Sequence, residues 1–278
     1  MASESARWRS YDGVAEAYAG TVMSGHFGVA RDLISLVGVE PGARVLDVGT
    51  GTGTVATAAL TATGGAAVIG IDPSIPMLSR IQPRPPLLVA AAVAGALPFP
   101  GPCFDVVVAS LVLNHVPDYH RALAEMARVL RSSGRIGVTA WGRTDDTPVV
   151  ADPHGQAAYE CWTNAASPHV PVEELDRAMT EVLPWEAWFS DPVRLAAAVE
   201  EAGLCDIRIE GRVYRAPSSH EDWLAAVNTG SKARYLRHEI GDQVWQAFCL
   251  DVLHHMESRV PDPFDRVFQM LLAVGTKS

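Results

Sequence analysis

A chain of 278 residues with 48% hydrophobic content can bury a full core, and its length allows one domain or two. Its net charge of −10 disfavours a polyanion partner, since nucleic-acid affinity needs clustered Lys and Arg, so an rRNA or tRNA substrate is not expected. With no run of 18 apolar residues and no basic-apolar leader, neither a membrane span nor a secretory signal is expected.

Residues 1–40 read as two short helices, Ala2 to Tyr18 and Gly28 to Val37, joined by the flexible Ser24-Gly25-His26-Phe27-Gly28. Tyr11 and Tyr18 lie seven apart and share a helix face. After Pro41 and Gly42, Arg44 to Val48 is a short apolar run carrying Asp47. Gly49, Gly51 and Gly53 follow on alternate positions, and Val55 begins a helix. A strand, a tight glycine turn and a helix mark the place where open α/β sheets bind ligands, at the carboxyl ends of their strands. A dinucleotide fingerprint would need its third glycine at Thr54, which disfavours an NAD-dependent oxidoreductase, and no Gly-Lys-Ser/Thr follows to make a P-loop.

Ala67 to Ile71 reads as a buried parallel strand ending in Asp72, about 20 residues beyond the glycine turn. A carboxylate there can accept both hydroxyls of a ribose. Phe104 to Ala109 is a further strand of the same kind. Pro117 and Asp118 then open a helix with apolar residues at 119, 122, 123, 126, 127 and 130, which Gly134 ends before a strand over Arg135 to Ala140. Residues 143–190 carry no strand pattern and read as helical. Pro192 to Ala202 is a helix capped by Gly203, Leu204 to Arg215 alternates as a strand, and Arg266 to Thr276 reads as the last strand. The stretch 217–263 is too long for a structureless loop and looks helical.

Five segments fall into a familiar order. Residues 45–53 are Val-Leu-Asp-Val-Gly-Thr-Gly-Thr-Gly, and 72–78 are Asp-Pro-Ser-Ile-Pro-Met-Leu. Residues 96–100, Ala-Leu-Pro-Phe-Pro, run into Phe-Asp-Val-Val-Val at 104–108; Ser-Leu-Val-Leu-Asn-His-Val-Pro-Asp follows at 110–118, and Leu-Arg-Ser-Ser-Gly-Arg-Ile at 130–136. Over roughly residues 10–142 the chain resembles the class I S-adenosylmethionine (SAM) dependent methyltransferases, and it looks like their quinone and natural-product branch. The resemblance implies an α/β fold, a Rossmann-like seven-stranded sheet that is mostly parallel with an antiparallel last strand. It also implies a division into an N-terminal helical cap at 1–40, a SAM-binding core at 41–142, a helical cap insert at 143–190, and the end of the sheet at 191–278 with its helical insert 217–263. The inserts would sit over the cofactor site; the alternatives are a simple extension of the core or a homodimer face.

What the resemblance implies for the site is specific. The cofactor is S-adenosyl-L-methionine. Asp47, Gly49, Thr50, Gly51 and Gly53 form the loop around its methionine part, and Asp72 holds the ribose. Pro73 or Ser74, together with Met77, flanks the adenine, with ordinary core packing the alternative for Met77; Ser110 is a further cofactor contact, and Tyr18 reaches the carboxylate or methyl region. Where the family commonly has Asp-Ala, this chain has Val93-Ala94; valine accepts no bond from the adenine amino group, so backbone groups near Ala94, or water, must read the base.

The chemistry expected is methyl transfer to an O, N or C nucleophile of a small aromatic, quinone-like or natural-product molecule. His115 is the candidate base, since an imidazole titrates near neutral pH; its alternative role is a helix-entry residue bonding nearby backbone. Asn114 would orient the acceptor or cap the helix. Tyr11, His26, Trp141, Trp185 and Trp188 are candidate acceptor contacts, with plain packing as the alternative for each. Cys103, Cys161, Cys205 and Cys249 are far apart without a C-x-x-C pair, which points to a reducing cytoplasm and away from disulfides. No metal site is expected, and the neighbours His254 and His255 face different sides of a helix. The alternative function is a SAM-binding protein of the same fold that transfers no methyl, such as a cyclase.

Overall fold

The computed structural model describes residues 8–82, 86–142 and 152–278, without the side chains of 22–25. From the start of the described chain, a 3-10 turn at Asp12–Val14 leads into α1 (Ala15–Val37), β1 (Val45–Val48), α2 (Thr54–Ala62) and β2 (Val68–Asp72). Then come α3 (Ile75–Leu78), β3 (Leu87–Ala91), β4 (Phe104–Ser110), α4 (Tyr119–Val129) and β5 (Leu130–Trp141). Helices α5 (Pro153–Ala166), α6 (Val172–Val182), α7 (Glu186–Phe189) and α8 (Pro192–Glu201) precede β6 (Leu204–Ser218). The chain closes with α9 (His220–Val227), α10 (Ser231–Glu257) and β7 (Phe264–Lys277).

The seven strands form one sheet in the order β3-β2-β1-β4-β5-β7-β6. β1 pairs in parallel with β2 and β4, β2 with β3, and β4 with β5, whereas β7 runs antiparallel to β5. The mostly parallel sheet with its antiparallel late strand is the architecture that the sequence motifs imply. All four residues of β1 are buried, and β4 is nearly so, which is why these strands read as continuous apolar runs rather than alternating ones. Strand order reverses between β1 and β4. In open α/β sheets that switch point opens a crevice at the carboxyl ends of the strands.

The chain divides into two units. The sheet unit takes the described residues of 26–143, 183–212 and 269–278. Its core joins Leu46, Ile71, Phe104, Leu123 and Met126 to Ile136 and Leu195. The helical unit takes the described residues of 1–25, 144–182 and 213–268. There Trp162, Leu175, Trp223, Leu236, Phe248 and Met256 bury one another among α5, α6, α9 and α10. Gly241, at φ 76°, breaks α10 into two helical lengths, a left-handed conformation that costs glycine little and other residues more.

Three details differ from the sequence expectations. The two N-terminal helices are one, since α1 runs unbroken through Gly20, Gly25 and Gly28; an interior glycine costs a helix only about 1 kcal/mol, less than the burial of Val29, Leu33, Ile34 and Val37 returns. The part of the first expected helix at 2–7 lies outside the described residues. Secondly, α4 stops at Val129 and not at Gly134. Lys277 Nζ donates to the carbonyls of Ala127 at 2.7 Å and Leu130 at 2.8 Å, satisfying the end of that helix. Gly134 is needed instead because a Cβ there would stand 2.8 Å from the Arg131 carbonyl oxygen. Thirdly, β3 is an edge strand whose residues after Leu87 are all exposed, so it carries no burial pattern to read.

Phe104 is 1% exposed, stacks edge-on against Phe99 at 4.8 Å, and anchors the start of β4. Phe104→Ala is expected to cost about 3–5 kcal/mol of stability by urea denaturation; a loss below about 1 kcal/mol would show that the core around β4 collapses to fill the space.

Candidate functional site

The glycine turn is left-handed three times over: Gly49, Gly51 and Gly53 have φ of 68°, 53° and 87°. At Gly49 a side chain is also excluded by space, since a Cβ would meet Val112 Cγ2 at 2.4 Å. Glycine alone lets β1 turn here into α2 while the backbone stays close to the loop that leaves β4.

Two carboxylates organise this end of the sheet. Asp72, at the end of β2, accepts a hydrogen bond from the Gly51 N–H at 2.9 Å through Oδ2 and from the Ser74 N–H at 2.8 Å through Oδ1. The turns after β1 and β2 are therefore tied to one side chain. The Thr50 N–H adds a bond to the Ile71 carbonyl at 2.8 Å. Ser74 caps α3, its hydroxyl accepting from the Met77 N–H at 3.2 Å. The buried Met77 stands under the glycine turn, its Cε 3.4 Å from where a Gly51 Cβ would be.

Asp47 is 1% exposed. Burial pushes its carboxyl up to about 7, helped by the charge of Asp72 and opposed by the Thr50 hydroxyl and the Ala56 N–H. Thr50 Oγ1 donates to Asp47 Oδ2 at 2.7 Å. Beside it Thr52 is also buried, and its hydroxyl has no hydrogen-bond partner among the described residues.

Val93 and Ala94 lie on a tight turn in which the Ala96 N–H donates to the Val93 carbonyl at 3.1 Å. Val93 is exposed and Ala94 buried. Residues of α4 that sequence reading did not single out hold this turn in place. Arg121 Nε donates to the Gly95 carbonyl at 2.7 Å, and Glu125 accepts the Leu97 N–H at 2.8 Å. Arg128 beside Glu125 holds its carboxyl below the usual range and donates as well to the Phe99 carbonyl. Their spacing of three and four along α4 puts them on one polar helix face, a signal present in the sequence but indistinguishable there from a solvated stripe.

At the carboxyl end of β4, Leu111 takes φ 58°, a left-handed conformation uncommon for a residue with a side chain. Thr139 of β5 holds it there, its Oγ1 accepting from the Leu111 N–H at 3.1 Å and lying 2.8 Å from Ser110 Oγ. Next come Asn114, 3% exposed, and His115, half-buried, whose N–H donates to the Val112 carbonyl at 2.9 Å. Asn114 Nδ2 donates to Glu186 Oε2 at 3.5 Å, and Trp185 Nε1 donates to the Val116 carbonyl at 2.9 Å. Glu186 was invisible to sequence reading, because 72 residues separate it from Asn114.

The remaining candidates divide. His26 and Trp141 meet in the sheet unit with ring centroids 5.8 Å apart. Trp185 packs edge-on against Tyr119 at 4.8 Å. Trp188 faces outward, 40% exposed, under the Arg194 guanidinium at 4.2 Å. Tyr11 and Tyr18 pair edge-to-face at 5.6 Å in the helical unit. No group of three metal-ligating side chains occurs among the described residues, and no described helix is long and apolar enough to cross a membrane.

Residues 46–138 match the family model of the methyltransferase domain. Nocamycin O-methyltransferase of Saccharothrix syringae is 38% identical over 136 residues, which are 46% of this chain and 49% of that protein. A demethylmenaquinone methyltransferase of Lysinibacillus sphaericus is 37% identical over 117 residues, 40% of this chain and 50% of that protein. The chain spans about half the length of the curated relatives it matches. The Bacillus subtilis YcgJ protein shares the fold, with a TM-score of 0.56 at 20% identity, over 90% of this chain and 98% of its own.

A raised pKa means that the folded chain holds the Asp47 proton more tightly than the unfolded chain, where the group titrates near 3.8. The resulting stability is fully present below that value and is lost as pH rises through about 7. Ligand-free protein should therefore lose stability relative to Asp47→Asn between pH 4 and 8, by an amount on the order of a few kcal/mol at about 1.4 kcal/mol per unit. Parallel urea-denaturation profiles for the two proteins would show that Asp47 titrates normally.

Proposed function

We infer, from the match of residues 46–138 to the family model of the methyltransferase domain, that the chain moves a methyl group from SAM to an O, N or C nucleophile of a small aromatic or quinone-like molecule. The observation that carries the cofactor reading is Asp72. Two backbone N–H groups fix its carboxylate at the end of β2, the position from which a carboxylate accepts the hydroxyls of a ribose. The left-handed glycine turn brings bare backbone to the neighbouring space, which suits the amino-acid end of the cofactor. The buried Thr52 hydroxyl, without a partner among the described residues, is a donor and acceptor in that same turn. Met77, Pro73 and Ser74 offer one wall to the adenine, and the turn at Val93-Ala94 offers backbone groups to its edge.

The sulfonium of the bound cofactor makes its methyl group electrophilic without help from the protein. The chain's own work is to orient and to move a proton. Positioning of this kind is worth up to about 7–11 kcal/mol. The segment Leu111–Val116 carries it here, strained at Leu111, anchored through Thr139 and tied by the Trp185 indole to the Val116 carbonyl. Asn114 and Glu186 hold each other at the edge of that segment and present polar atoms to an acceptor. A ring nitrogen of His115 takes the proton from an acceptor O–H or N–H, a contribution of about 10²- to 10⁴-fold. Two of the relatives are named for small acceptors, nocamycin and demethylmenaquinone, which supports a small molecule here too.

Asp72→Ala should raise the dissociation constant for SAM by at least ~100-fold, the loss of two bonds to a charged group, with circular dichroism unchanged. Calorimetry returning the wild-type affinity would sink the cofactor assignment. His115→Ala should lower labelled-methyl transfer to phenolic or quinol acceptors by about 10²- to 10⁴-fold while SAM affinity stays within about twofold. Undiminished transfer would leave His115 a structural residue.

A further inference from the structure

The helical unit buries a charge that has no ion-pair partner among the described residues. Arg234, at the first turns of α10, is 6% exposed. Its Nε donates to the Trp8 carbonyl at 2.7 Å and its Nη1 to the Thr229 carbonyl, while its Cζ lies 4.3 Å from the centre of the Tyr11 ring. Nη2 has no hydrogen-bond partner among the described residues. The acidic groups of the unit's described contacts are taken elsewhere: Glu181 by Arg9 at 2.6 Å, Asp176 by Lys232 at 2.5 Å, and Glu174 by the Tyr235 hydroxyl. Arg234 forms no ion pair among the described residues.

Such an arrangement is costly for a purely structural residue. Removing a guanidinium from water carries a desolvation penalty, which two carbonyls and one ring face offset only in part. The orphaned Nη2 adds to it. A Met or Leu would fill the same volume without these terms. Arginine is instead the side chain suited to an anion, a permanent charge with planar, directed donors. Around it the surroundings are aromatic: Tyr11 over the guanidinium, Tyr18 edge-on to Tyr11 at 5.6 Å, and Trp8 edge-on to Tyr235 at 4.9 Å. Tyr11 and Tyr18 are half-buried, and the Asp12–Val14 turn between them has no buried residue.

We propose that Arg234 and the rings beside it form a binding site for a small aromatic carboxylate, whose charge pairs with Nη2 and whose ring packs on Tyr11 and Tyr18. The site draws only on side chains of the helical unit and on no bound cofactor, so it is tested on the full chain without SAM. Calorimetry with benzoate and with benzamide, its neutral counterpart of the same shape, separates charge from ring. Benzoate should bind and benzamide should bind at least about 10-fold more weakly. Arg234→Gln, which keeps an amide donor but no charge, should lose benzoate binding by a similar factor while SAM affinity and the circular dichroism spectrum hold. Equal binding of the two probes, no binding of benzoate to wild type, or wild-type benzoate affinity in a folded Arg234→Gln would each overturn the proposal. Should that variant fail to fold, Tyr11→Leu removes the ring face and keeps the charge. It should weaken benzoate binding, and an unchanged affinity there would equally overturn it.

Discussion

Two backbone N–H groups from different βα turns converge on the carboxylate of Asp72, and the geometry of the candidate site depends on that convergence. A charge-assisted bond to backbone is short and directional, so Asp72 fixes the glycine turn after β1 against the turn after β2. Neither turn could set this distance alone. The three glycines have conformational freedom, and freedom without an anchor would leave the turn undefined. Asp72 removes that freedom on one side, and the side chain of Val112 limits it on the other.

Asp47 shows the opposite use of the same residue type. Two carboxylates end neighbouring parallel strands, yet one is fully buried and the other accepts two N–H groups at the sheet's rim. Burial makes ionisation of Asp47 expensive, and the neighbouring charge of Asp72 adds to the cost. Asp47 and Thr50 thus act as a buried hydrogen-bonded pair under the turn, while Asp72 ties that turn to the one after β2. Environment, and not residue identity, separates the two roles.

A second layer of polar contacts runs from α4 to the turn at 93–99. Arg121, Glu125 and Arg128 reach four different backbone groups of that segment. The missing acidic residue at Val93 therefore leaves the turn's shape intact: its conformation is held from behind by α4, and its outward backbone stays available. In the helical unit a different logic holds. Glu174, Asp176 and Glu181 each have a partner, and Arg234 is the described charge left buried among rings.

How much of this was legible beforehand follows from the range of each interaction. The glycine spacing at 49–53, the strand ending in Asp72 and the helix opened by Asp118 are local, and each lies within a stretch where period and residue type carry the information. Sequence therefore determined the architecture of the sheet and placed the glycine turn and Asp72 at the carboxyl ends of its strands. It misread the end of α4, because the group that terminates that helix is Lys277, 147 residues away from Leu130. It could not see Glu186 beside Asn114, Thr139 beneath Leu111, or Arg234 without an ion-pair partner among the described residues. Those are pairings across the fold, set by which elements the tertiary structure packs together, and a residue's sequence neighbours hold no record of them.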